Sequence, residues 1–173
     1  MMRDMKDPTT KAWLATGAFA LAGAVSFFVV APISPYLLPH LIFYAVLVVN
    51  TFFSIRFFPR IAPENASQVA IDAVLVFLYL ALAASIGRPV QFAFFALCLF
   101  IAASTKYPLL LLVIPQTNVL KRKILIDLMG TAACAVVLGA TILGYAFGAA
   151  WAAAIGFTLA NVYLLLIRPM YRL

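Results

Sequence analysis

Apolar runs of about twenty residues alternate along this chain with short polar, glycine or proline breaks. The pattern predicts helices over about 12–31, 36–58, 68–86, 90–114, 124–145 and 149–168. Pro32 and Pro35 end the first run, because proline cannot continue the backbone ladder. Arg56, Pro59 and Arg60 end the second, and a polar segment over 62–67 follows. Gly87-Arg88-Pro89 makes the next turn, and Gly144–Gly148 the last.

Runs of this length cross the roughly 30 Å hydrocarbon core as helices. A strand of a membrane barrel would alternate apolar and polar residues. Residues 73–84 do not alternate. In lipid each backbone N–H and C=O must be satisfied internally, which favours a helical bundle. The expected fold class is therefore all-α: one integral membrane domain, residues 1–173, built as a bundle of six transmembrane helices.

The fourth run has two readings. It could stop near Thr105, leaving residues 109–114 on the membrane surface. It could instead continue to about 114, with Lys106 inside the helix and a kink at Pro108. The longer reading is preferred, because the shorter leaves only about 22 Å to cross the core.

Composition supports a membrane chain. Of 173 residues 66% are hydrophobic and 10% charged, too few charges to clothe a soluble domain. Eleven of the twelve lysines and arginines fall at alternate breaks, and Arg88 alone falls on the other side. The positive-inside rule then places both termini in the cytoplasm, in a membrane of the bacterial inner type. The net charge of +7 is accounted for by anionic headgroups on that side, with no patch suited to nucleic acid.

All five acidic residues fall in the cytoplasmic half as well. Asp72 and Asp127 lie about one turn inside the apolar boundary, roughly 6 Å deep. A carboxylate there is costly, though a helix N-terminus and Lys123, four residues before Asp127, ease it. Lys106 is expected to pair with one of the two aspartates. Asn50 and Asn161 lie in the same half. These five residues, Asp72, Lys106, Asp127, Asn50 and Asn161, form the candidate polar site.

Cys98 and Cys134 read as small buried thiols, and no zinc or disulfide spacing is present. His40 stands at the outer end beside Pro39 and reads as a group that caps an interface. With no catalytic triad, HExxH, phosphate loop or haem-ligand pair, no metal or cofactor is expected, and an enzyme using Asp72, Asp127 and Lys106 on a lipid phosphate is the less favoured reading. Small residues recur every fourth position at Ala152, Gly156 and Ala160, and are expected to pack helices within the bundle or against a partner or second copy. The functional expectation is a transporter or channel-type protein handling a proton, a small ion or a lipid headgroup. The alternative is a structural or accessory subunit of a larger membrane complex.

Overall fold

A computed structural model describes residues 7–30, 34–60, 66–111 and 118–171. Among them the regular structure is entirely helical: α1 Pro8–Val30, α2 Leu37–Phe57, α3 Ala66–Ala84, α4 Pro89–Leu111, α5 Asn118–Ala140 and α6 Ala146–Val162. A short 3-10 turn, Phe58–Arg60, follows α2, and wide π-type turns follow α5 and α6. Arg3, Lys6, Arg172, the break at Pro32 and residues 112–114 of the expected fourth helix lie outside the described residues.

The helix starts follow from local chemistry. α1 begins four residues before the expected 12. The Asp7 carboxylate accepts from the Thr10 backbone N–H at 3.2 Å, and Pro8 fills the first helical position, where a missing N–H costs nothing. Pro89 opens α4 in the same way. α4 then runs through Pro108 to Leu111, so Lys106 lies inside the helix, as the longer reading expected. α5 begins at Asn118, six residues before the expected 124. The cluster Lys121-Arg122-Lys123 is therefore helical, not loop, and helical phase aims its members in different directions.

Among the described residues five stretches are long and apolar enough to cross a membrane, and the last, Asn118–Ile167, is 50 residues long. It does not run straight. Gly144 has φ 94° and ψ 0°, the left-handed region that glycine enters without strain. The chain folds back there. The Arg122 guanidinium comes within 3.5 Å of the Arg168 carbonyl oxygen, although 46 residues separate them. Phe157 of α6 stacks on Phe43 of α2 at 4.5 Å between ring centroids and meets Phe100 of α4 edge-on at 5.8 Å. Gly144→Ala has open space for its methyl group, so its cost is purely the backbone's. The variant should lose about 1–2 kcal/mol, read as a lowered unfolding temperature in mild detergent.

Antiparallel neighbours place Lys11, Arg56, Lys106, Lys121, Arg122, Lys123 and Arg168 at one end of the bundle, the basic end. Arg88 stands at the opposite end. There the α3–α4 turn is clasped. Ser34 donates to the Gly87 carbonyl oxygen at 2.8 Å, and the Gly87 N–H donates to His40 Nδ1 at 3.1 Å. His40 also stacks flat on Phe92 at 4.0 Å. This histidine ties α2 to the α3–α4 turn.

A core of Phe43, Leu47, Leu82, Ile86, Phe92 and Ala154 fills the middle and the Arg88 end. The small-residue face of α6 does not pack against it. Ala152, Gly156 and Ala160 are exposed, and nothing lies within 4 Å of a Cβ built on Gly156. That expectation of close packing inside the bundle is corrected: α6 turns the aromatic Phe157 inward and its small residues outward.

Candidate functional site

Five helices each turn one stripe of residues toward a cavity of about 280 Å³ at the basic end. α1 supplies Lys11, Ala15 and Phe19, four residues apart. α2 supplies Leu47, Asn50, Thr51 and Ser54. α3 supplies Gln68, Asp72, Leu75 and Tyr79. α4 adds Leu99, Phe100, Ala103, Lys106 and Tyr107, and α5 adds Lys123 and Asp127. The 3–4 residue spacing on every helix puts each set on one face. Charges gather toward the helix ends, and apolar groups line the inner part.

Two ion pairs are set in this wall. Lys106 of α4 bonds to Asp72 Oδ1 of α3, joining two helices. The Lys106 side chain is 17% exposed and that of Asp72 is 53% exposed. Lys123 bonds to Asp127 Oδ1 at 2.6 Å, one turn along α5, and those side chains are 7% and 2% exposed. Lys123 also lies 5.3 Å from the centre of the Tyr107 ring, where the ring's negative face attracts a cation. Asp127 Oδ2 is buried and has no hydrogen-bond partner among the described residues.

Neutral groups brace the pairs. Tyr107 and Ser54 share a hydrogen bond of 3.1 Å between α4 and α2. The Tyr79 and Thr51 hydroxyls bond across α3 and α2, and Thr51 donates to the Leu47 carbonyl oxygen at 2.8 Å. Ser104 bonds Thr131 at 3.1 Å, and Thr131 donates back to the Asp127 carbonyl oxygen at 2.9 Å, which fixes the α4–α5 register beside the buried carboxylate. The Tyr171 hydroxyl donates to Asn50 Oδ1 at 3.2 Å, so the segment after α6 packs against α2 at the mouth. Burial pushes the Tyr171 phenol above its ordinary range, so it keeps its donor proton at neutral pH.

Four of the five candidate residues, Asn50, Asp72, Lys106 and Asp127, line this one cavity. The pairing is more specific than the sequence reading, which allowed Lys106 either aspartate: it takes Asp72. Asn161 does not join them. It is buried on α6, where its amide donates to the Phe157 carbonyl oxygen at 2.9 Å, and its Oδ1 has no partner among the described residues.

Sequence reasoning assigned Lys123 to a loop. Its one available signal was the four-residue spacing to Asp127. Tyr107 and Tyr171 gave no sequence signal, since nothing local distinguishes an interhelical tyrosine from one at the membrane interface. Among the described residues, no group of His, Cys, Asp and Glu is arranged to hold a metal ion. Chemically, the wall offers three ammonium groups, two carboxylates and several hydroxyls around an apolar pocket. That set is chemically suited to a charged or strongly polar group.

Comparison with protein families, characterised proteins and solved structures gives no match.

Proposed function

We propose that this chain is a transporter or channel-type protein. It crosses the membrane six times with both ends in the cytoplasm, as expected of a bacterial inner membrane, and its basic end faces that side. The fold-back at Gly144 supports two crossings in the Asn118–Ile167 stretch. The charge asymmetry supports the orientation. One observation carries the functional reading: charged pairs line a cavity inside an otherwise apolar bundle, where each ionised group is costly and marks a pathway or binding site. The cavity would take a proton, a small ion or a lipid headgroup from the cytoplasmic side.

The topology has a direct check. Single cysteines placed at Arg88 and Lys121 should react with impermeant reagents from opposite faces of the membrane. Reaction from one face removes the six-crossing arrangement. Transport is tested in vesicles of phosphatidylcholine and phosphatidylglycerol. The panel comprises protons, labelled alkali cations, chloride, short carboxylic and sulfonic acids and a labelled phospholipid. Flux of one of these should fall to the protein-free level in Asp72→Asn and Asp127→Asn. No flux across the whole panel, or wild-type flux in both variants, sinks the proposal.

The second reading, an accessory subunit, gains from the outward face of α6. Gly148, Ala152, Gly156 and Ala160 present a smooth strip that lets another helix approach closely. Gentle solubilisation and mass determination separate the readings. A stable complex with another protein favours the subunit, and a monomer or homo-oligomer favours the transporter.

A further inference from the structure

The Lys123–Asp127 pair is incomplete in a particular way. A carboxylate offers about four acceptor positions. Here Oδ1 meets one ammonium at 2.6 Å, while Oδ2 has no donor among the described residues and lies out of reach of solvent. A buried acceptor left unpaired is costly. The atom is too enclosed to be met by a ligand of several atoms. It is not too enclosed for a proton.

We propose that Asp127 is the proton-binding group of this cavity, and that its protonation opens a site at Lys123 for a small organic anion with an apolar tail. The step is simple to balance. A hydronium ion from the aqueous side gives up one proton: its O–H bond breaks, an O–H bond forms at Asp127 Oδ2, and a water molecule is released. The Asp127 side chain becomes neutral, and Lys123 keeps its ammonium proton and its charge.

The groups around Asp127 set the effect of that proton. The charged and titratable ones are Lys11 from α1, Asp72 and Tyr79 from α3, Lys106 and Tyr107 from α4, Lys123 from its own helix and Tyr171 beyond α6. Asp72 is already engaged by Lys106. Among the described residues no other carboxylate lines the cavity, so a neutral Asp127 leaves Lys123 without its carboxylate counter-charge. The Tyr107 ring offers Lys123 only its face. A buried cation without a counter-charge is unfavourable, so the cavity in this state draws in an anion.

The rest of the wall selects the remainder of the ligand. Phe19, Leu47, Leu75, Leu99 and Phe100 line the part away from the lysines. An anionic head at Lys123 then has an apolar tail beside these groups. A volume of about 280 Å³ suits a short tail and not a two-chain lipid. Proton and anion are linked, each favouring the other's binding by the same factor. This deepens the transport reading and rests on it.

The test uses hexanesulfonate, whose own charge does not change across the pH range. Binding to the protein in phosphatidylcholine nanodiscs is measured by calorimetry in buffers of different ionisation enthalpy, with empty nanodiscs subtracted. Because flux plays no part, failure here and failure of transport in vesicles are read separately. Wild-type affinity should rise by up to about tenfold for each pH unit of acidification through the titration of this one carboxylate, with proton uptake on binding. Asp127→Asn should bind tightly at high and low pH alike. Lys123→Gln should bind weakly at both. The wild-type proton count alone suffices where a variant does not fold. No binding, binding without proton uptake, or a wild-type pH profile in Asp127→Asn overturns the proposal.

Discussion

Replacing Lys123 by methionine should destabilise the protein by about 3–5 kcal/mol, the usual effect of removing one member of a buried ion pair. Methionine keeps most of the side chain's length and packing. What is lost is the charge that compensates Asp127, whose side chain is 2% exposed. The damage therefore comes from the carboxylate left behind. The double variant Lys123→Met with Asp127→Leu should recover most of the loss, because both charges leave together. Lys106→Met serves as the control. Its partner Asp72 is 53% exposed, against 2% for Asp127, so less of its environment depends on the lysine and the expected loss is smaller. Unfolding in mild detergent reads all three. Equal losses for Lys123→Met and Lys106→Met would show that burial does not separate the two pairs.

A comparable loss is expected at the middle of the α4–α5 contact. Phe100 is buried and meets Phe157 edge-on. Its ring occupies the space beside Gly130: a Cβ built on that glycine would lie 2.5 Å from two ring carbons. In lipid, helices are held together largely by such packing. Phe100→Ala should cost about 3–5 kcal/mol through the void it leaves. Gly130→Ala should cost about 1–3 kcal/mol, because the ring must move out of a well-packed position. The two effects should not add. With the ring gone the new methyl group enters empty space, so Gly130→Ala in the Phe100→Ala background should be neutral or stabilising. Simple additivity in the four-member cycle would show that ring and glycine do not compete for one space.

These two contacts also mark where sequence reasoning stops. The apolar helices are legible because lipid imposes long uninterrupted runs, and Pro89 and Gly144 punctuate them by known backbone chemistry; the polar first turns at Pro8 and Asn118 are not, because their charged residues read as loop. The half of the bundle that holds the charges is legible for the same reason: Asp72, Lys106 and Asp127 break apolar runs and must be matched. Rotational phase is not legible. Lys121, Arg122 and Lys123 look alike in the sequence, yet only Lys123 is turned into the bundle and buried. The choice between Asp72 and Asp127 as partner of Lys106 depends on which helices are adjacent, and no local pattern states that. Asn161 has the same polarity and depth as Asn50, but α6 places it away from the cavity. The small residues of α6 show the same limit, since their spacing is fixed by sequence and their direction by the packing of Phe157.

The bend at Gly144 has a consequence for biosynthesis. An insertion machinery reads hydropathy and flanking charge as the chain emerges. Between Asn118 and Ile167 it meets 50 residues whose charges, Lys121, Arg122, Lys123 and Asp127, all lie near one end, with no charged loop at the midpoint. Extended as a helix, that stretch would measure about 75 Å, more than twice the hydrocarbon thickness. Within the six-crossing proposal, Lys121-Arg122-Lys123 and Arg168 keep both ends on one side, and no charge marks where between them the chain reverses. The kink at Gly144 marks it, so the final hairpin would enter the bilayer already bent, with no hydrophilic loop to carry across.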